Sequence, residues 1–280
     1  MSRADLVILQ ISDTHFGTEQ PAVVAAALRL CADEQPAIVI LSGDITQRAR
    51  SRQFAAAAQF FAALPAARKL AIPGNHDIPL FNLWQRVFSP YAGYRRAFGA
   101  ELEPEINLPE VLVIGVNTTR PGRHEDGEVS AVQIARVSER LQRATSNQLR
   151  IIVTHQPVHV ITAQDSKNQL HGADAAVTSW AEAGADLVLG GHIHLPYVRR
   201  INDHLPLSRT LWAVQAGTAV SSRIRGGIPN SVNIIRWPQG EGVRRCTVEQ
   251  WNYSASSQQF NMVQSTPVLL AALATVPNRT

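Results

Sequence analysis

The chain has 280 residues, with 45% hydrophobic and 17% charged side chains and a mean hydropathy of −0.06, which excludes a disordered or fibrous protein. No apolar run reaches the ~20 residues that cross a bilayer, and Cys31 and Cys246 are too few for a disulfide framework. A net charge of +4 and a pI of about 9.5, with no block of like charges, suit an anionic substrate without indicating a nucleic-acid footprint.

Met1 to Asp5 lead straight into Leu6–Ile11, which reads as a first core strand and not as a secretory leader. A cytoplasmic setting is therefore expected, with no membrane partner and with oligomerisation left open. A helix is predicted over Ala22–Glu34, a strand over Ala37–Leu41, a helix over Gln53–Ala63 and a strand over Lys69–Ile72. Ile78–Pro109, with aromatics among scattered Gly and Pro, reads as a lid or peripheral segment. Val111–Val116 is a further strand. Ser130-Ala-Val-Gln133 is a capping box that starts a helix over Ala131–Ala144. Strands at Ile151–Val153 and Ala185–Leu189 flank a helix at Ala173–Glu182. After Leu195, short runs at Leu211–Gln215, Val232–Trp237 and Val243–Val248 suggest a second β-layer. Beyond residue 254 no element can be assigned. The strand runs alternate little and are rich in Val, Ile and Leu, as expected of strands buried on both faces. The alternation of strand and helix is that of a layered α/β (α+β) domain.

Five polar clusters follow five of these runs: Asp13-Thr-His15, Gly43-Asp44, Gly74-Asn-His-Asp77, Thr154-His155 and Gly190-Gly-His-Ile-His194. Ligands bind at the carboxyl ends of strands in open α/β sheets, so the positions mark one site gathered from distant parts of the chain. Asp13 and His15, like His192 and His194, are two apart, and on an extended backbone each pair points the same way. Glycines before Asp44, Asn75 and His192 permit sharp turns at the strand ends. Asp13, His15, Asp44, Asn75, His155, His192 and His194 make a shell of carboxylates, imidazoles and one amide without a thiolate. That shell suits Mn, Fe(II), Zn or Co and argues against a structural zinc site. Seven ligands are too many for one ion; a shared carboxylate lets them serve two.

Each cluster alone has a plainer reading. Asp-x-His is commonplace, Gly-Asp and Gly-Asn-His-Asp are good turn chemistry, and a single His155 or a surface His-x-His pair needs no metal. Five such clusters in order, each at a strand end, are not explained that way.

This ordered set resembles the calcineurin-like metallophosphoesterase superfamily over roughly residues 6–200. The resemblance implies a four-layer αββα sandwich of two mixed β-sheets flanked by helices. We expect a single domain over residues 1–253, with 254–280 as a C-terminal extension. It also implies a dinuclear centre of two divalent ions (Mn, Fe or Zn), the first held by Asp13, His15 and His194. The second would be held by Asn75, His155 and His192, with Asp44 bridging. Asn75 and His76 would contact substrate, and His76 would assist the leaving group in the catalytic step. The implied activity is hydrolysis of a small phosphodiester, through a bridging hydroxide activated by the two metals. Alternatives within the superfamily are a nuclease or a phosphomonoesterase; outside catalysis, the alternative is a metal-binding scaffold.

Finer features resemble the small bacterial phosphodiesterases related to class III cyclic-nucleotide phosphodiesterases, including Pro121–Glu128 followed by the capped helix. The chain lacks the tyrosine that purple acid phosphatases place after Gly-Asp, and it has Gln47 where several relatives carry an aspartate able to orient the catalytic histidine. Arg223 and Arg225, in Ser221-Ser-Arg-Ile-Arg-Gly-Gly227, read more simply as a solvated basic loop than as the lining of a substrate groove. His124, His159, His171 and His204 read as surface or cap residues. Selectivity is assigned to the Ile78–Pro109 and Ser221–Pro229 segments.

Overall fold

The computed structural model describes residues 3–123, 125–239 and 244–272. His124, Val243 and residues 273–280 of the expected extension therefore lie outside the described residues.

Two six-stranded sheets face each other. In the first, strands β1 (Arg3–Ile11), β2 (Ile38–Ser42) and β3 (Arg68–Ile72) run parallel. Antiparallel β10 (Ser231–Gln239), β11 (Arg245–Ser254) and β12 (Gln259–Leu269) extend that sheet outward from β1. In the second sheet, β5 (Val111–Gly115), β6 (Leu149–Val153), β7 (Leu187–Gly190) and β9 (Trp212–Gln215) run parallel. Antiparallel β4 (Glu105–Leu108) and β8 (Tyr197–Arg200) close its edges.

Why the strands lack alternation is visible in the packing. Leu9, Ile11, Val39 and Leu41 pack outward against α1 (Pro21–Glu34), α2 (Ser51–Ala63) and α4 (Ala92–Phe98). Ile8, Ile40, Leu70 and Ile72 point the other way and meet Val113, Ile151, Val153 and Leu189 of the second sheet. Leu112, Ile114 and Ile152 then pack beneath α5 (Ala131–Gln142) and α6 (Ala173–Glu182). Period-two residues are apolar on both faces, and the result is the expected four-layer αββα sandwich. The Ser130 capping box is present: the Ser130 hydroxyl accepts from the Gln133 amide at 3.3 Å, and Gln133 Oε1 accepts from the Ser130 amide at 3.0 Å.

Three expectations are corrected. The strands after Leu195 make no separate layer: β9 joins the second sheet, while β10 and β11 continue the first. The Ile78–Pro109 span is only in part peripheral. Its α4 packs on α2, with the Tyr94 hydroxyl donating to the Ala71 carbonyl at 2.6 Å, and β4 is a sheet edge. Only α3 (Leu83–Phe88) buries no residue. Finally, the unassigned region after 254 holds β12, whose polar, largely exposed side chains carry no core pattern because it is an edge strand.

At their carboxyl ends the sheets are bound together by polar groups instead of apolar ones. Gln10 Nε2 donates to the Gly190 carbonyl at 3.0 Å and to Ser42 Oγ at 3.2 Å, and Asn233 Nδ2 donates to Gln10 Oε1 at 3.0 Å. All four groups are buried and partnered, so they fix the sheets' relative position where the site begins.

Candidate metal centre

The loops after β1, β2 and β3 approach the loops after β6 and β7, bringing all five sequence clusters together. Asp13, His15, Asp44 and His155 are buried. His194 Nε2 lies 3.0 Å from His15 Nε2 and 3.3 Å from Asp13 Oδ1; Asp44 Oδ2 is 3.7 Å from His15 Nε2. On the other side, Asp44 Oδ1 and Asn75 Oδ1 each lie 3.2 Å from His155 Nε2, and Asn75 Oδ1 is 3.0 Å from His192 Nδ1. Two ligand groups result, one of Asp13, His15, Asp44 and His194 and one of Asp44, His155 and His192, with donor atoms in each within 4.8 Å of one another. Asp44 belongs to both.

The local backbone differs from the extended one that the two-residue spacing suggests. Asp13, His15, Asp44, His192 and His194 have φ between 40° and 72°. This left-handed region is uncommon for residues with a Cβ, though Asp and His enter it more often than most. Such conformations cost about 1–3 kcal/mol each and persist where surrounding structure over-determines them. The surroundings do so. The His192 amide donates to Asp13 Oδ1 and Oδ2 at 3.1 Å, the His76 amide donates to Asp44 Oδ1 at 2.9 Å, and His155 Nδ1 meets the Ser42 carbonyl at 3.0 Å.

Glycine serves closeness as well as turning. Gly43 has φ +96°, and a Cβ there would also strike the His155 ring; Gly74 has an ordinary φ of −102°, but a Cβ on it would fall on the Asp44 amide and carboxylate. Asp77 completes the frame. Its carboxylate accepts from the Gly74 amide at 2.9 Å, the Ile45 amide at 3.0 Å, and the Thr46 amide and hydroxyl at 2.8 and 2.9 Å. That one side chain therefore locks the Asp44 loop to the Asn75–His76 loop.

The donor set fits a pair of cations. Buried carboxylates and imidazoles face one another at hydrogen-bonding distance, and the buried His15 Nδ1 has no hydrogen-bond partner. Burial pushes Asp44 upward, but His155, His76 and His15 outweigh it and hold the carboxyl well below the usual range. Burial also raises Asp13, and His194 with His155 together outweigh it, leaving the carboxyl lowered. Burial pushes His15 down to about 3 and, with the charge of His155, His192 down to about 4. Ionised carboxylates beside neutral imidazoles are the protonation states that metal ligation needs. His155 and His194 are different: burial lowers both, yet Asp44 raises His155 to about 9 and Asp13 raises His194.

His76 stands at the edge of this cluster, its ring 4.9 Å from His15. Its Nδ1 is 2.9 Å from the backbone carbonyl of Gln47, so the histidine is oriented by main chain and not by the side chain at position 47. Gln47's side chain has another task. Its Oε1 accepts from Arg223 Nη1 at 3.0 Å, and the same Nη1 lies 3.4 Å from His76 Nε2. Arg225 binds both Asp165 oxygens, at 2.9 and 3.1 Å, and the Ile193 carbonyl between the two terminal histidines at 3.0 Å. The plainer reading of these arginines as solvated is thus corrected; their loop folds back over the site, which spacing could not reveal. His159 stacks on His204 at 4.5 Å, and His171 is exposed near Asp126; none of the three joins the cluster.

The calcineurin-like phosphoesterase family profile matches residues 6–196. Among solved structures, a dimetal phosphatase from Danio rerio aligns with a TM-score of 0.65 at 12% identity, covering 96% of this chain and 100% of its own. A purple acid phosphatase isolated from yellow lupin (Lupinus luteus) seeds gives 0.67 at 12% identity, covering 96% of this chain and 54% of that one. The chain thus spans about half the length of the lupin protein. PhoD gives 0.59 at 11% identity, covering 95% of this chain and 73% of its own. At such identities the structural likeness establishes the fold alone. No curated protein sequence matches the chain. With the family profile spanning most of the chain, the protein belongs to the calcineurin-like phosphoesterase family and is a hydrolase.

Proposed function

We propose that the chain is a two-metal phosphodiesterase of the cytoplasm, acting on cyclic nucleotides or other small phosphodiesters as class III cyclic-nucleotide phosphodiesterases do. The observation that carries the proposal is the shared Asp44 carboxylate, flanked by two ligand groups with His76 beside them. Asp13, His15 and His194 would hold one ion, and Asn75, His155 and His192 the other, with Asp44 common to both. Bound divalent ions (Mn, Fe or Zn) would supply charge stabilisation at the phosphoryl oxygens and a water acidic enough to attack near neutral pH.

The remaining work falls to side chains. With Nδ1 directed at the Gln47 carbonyl, His76 donates its Nδ1 proton there, and Nε2, which faces Arg223, is the nitrogen that carries a second proton for substrate when the ring is an imidazolium. Hydrolysis adds water across one P–O ester bond, leaving a phosphomonoester and an alcohol; His76 Nε2 gives the departing oxygen its proton. Arg223, 3.4 Å from that nitrogen, is placed to hold a non-bridging phosphoryl oxygen. The two carboxylates offset only half the charge of two divalent ions, and Arg223 adds to the remainder. Such a centre attracts a diester monoanion without a dedicated dianion clamp. A cytoplasmic setting is supported by two buried, unpaired cysteines. No helix among the described residues is long and apolar enough to cross a membrane.

The test is a comparison of bis-p-nitrophenyl phosphate with p-nitrophenyl phosphate, using manganese-supplied protein. We expect the diester to have the higher kcat/KM, with cyclic nucleotides or glycerophosphodiesters also cleaved. A clear monoester preference would overturn the diester assignment.

A further inference from the structure

Beside the metal centre, α3 is built inside out. Phe81, Leu83, Trp84, Val87 and Phe88 are between 69% and 79% exposed. Positions 83, 84, 87 and 88 fall on one arc of the helix, whereas Gln85 and Arg86, on the other side, are half-buried. Arg86 turns inward to the carbonyls of Pro79 and Arg123, at 3.2 and 2.9 Å. A helix that seeks only a place in the fold buries its apolar face. This one presents that face to solvent, with Trp84 stacked on Phe88 at 4.6 Å.

Two further observations say what the face meets. It adjoins the site: Asn75, His76, Arg48 and Arg86 line one recess, and the Arg48 guanidinium lies over the Phe81 ring at 5.5 Å. The segments that build it are also basic. Residues 45–63 and 78–99, the segments that carry Arg48, Phe81 and α3, contain six arginines and no aspartate or glutamate, and Arg48, Arg50, Arg52, Arg95 and Arg96 are exposed. Leu, Val, Phe and Trp beside arginines match an anionic bilayer surface, where the apolar groups enter the acyl boundary and the cations meet phosphate. Stacking on nucleic-acid bases would use the aromatics but leave Leu83 and Val87 without a purpose.

We infer that this rim docks the protein on anionic phospholipid bilayers, and that the substrate class is a phosphodiester of a glycerophospholipid headgroup. The substrate part rests on the phosphodiesterase reading above; the docking part does not. Cleavage again adds water across one P–O ester bond of the headgroup, yielding a phosphomonoester and an alcohol. Trp84 and Phe88 lie outside the recess lined by His76, so their removal tests docking apart from chemistry.

The experiment is co-sedimentation of the full, manganese-supplied chain with phosphatidylcholine vesicles with and without phosphatidylglycerol, for wild type and Trp84→Ser/Phe88→Ser. Hydrolysis of bis-p-nitrophenyl phosphate is measured in parallel. We expect binding only to the anionic vesicles, weakened at least tenfold in the variant and by added salt, with equal cleavage of the soluble ester. Wild-type protein that ignores anionic vesicles, or a variant that binds them equally well, would refute docking. So would a wild-type dimer that the variant turns into monomer, or loss of single-stranded oligonucleotide binding without any vesicle binding. Vesicle binding with no cleavage of the soluble diester would leave docking standing and sink the phosphodiesterase reading and its lipid substrate. Vesicle binding and soluble cleavage, without cleavage of the vesicle lipid, would sink the substrate class alone.

Discussion

The floor of the site and its rim are built on opposite rules. On the floor, Asp13, Asp44, His155 and His192 are held by strand ends and by amide and carbonyl partners, and several accept a costly left-handed backbone. On the rim, Arg48, Phe81, Trp84 and Phe88 are exposed, and α3 buries nothing. His76 and Arg223 stand between the two. The difference teaches that this fold concentrates its backbone constraint on the carboxylate and imidazole cluster and leaves the rim to loosely packed segments.

Three substitutions sharpen that division. The largest effect is expected at the floor. Asp44→Asn removes the only carboxylate common to both ligand groups, so metal analysis should find no more than one ion per chain. Activity should fall by more than the ~10²–10⁴-fold that one acid–base group contributes; two full equivalents of metal in that variant would break the assignment.

Next comes the junction. His76→Ala should keep both ions and lose ~10²–10⁴-fold on esters with poor leaving groups, less on p-nitrophenyl esters. Equal losses across a leaving-group series would remove the proton-donor role.

The smallest belongs to the rim's inner edge. Arg223→Gln deletes one charge-assisted contact, worth about 1.5–3 kcal/mol, and kcat/KM should drop by roughly tenfold to a hundredfold with ion content unchanged. If kcat/KM stays at the wild-type value, Arg223 holds Gln47 and not the phosphoryl group.

Much of the floor could be read from sequence because its chemistry sits immediately after β1, β2, β3, β6 and β7, where apolar runs end in Asp, Asn or His. The rim was less legible, and the reasons are physical. Arg223 lies far along the chain from His76, on a loop whose path has no periodicity to read. Gln47 orients His76 through its carbonyl, and every residue carries a carbonyl, so the side-chain letter gave no signal. Asp77 could have been found: a carboxylate closing a Gly-Asn-His turn invites the question of which amides it collects, and it collects those of Gly74, Ile45 and Thr46. For β4 and β12, edge position removed the apolar pattern on which strand recognition depends.

The interior between the sheets has an effect beyond holding the fold together. The clusters after β1, β2 and β3 stand opposite those after β6 and β7, so the gap between them depends on the girth of Ile40, Ile72, Val153 and Leu189 as well as on the Gln10 network. Close-packed interiors pass small volume changes on to their boundaries. These aliphatic side chains therefore act as a gauge block, and trimming one would change the spacing of the carboxylate and imidazole cluster without touching any polar atom.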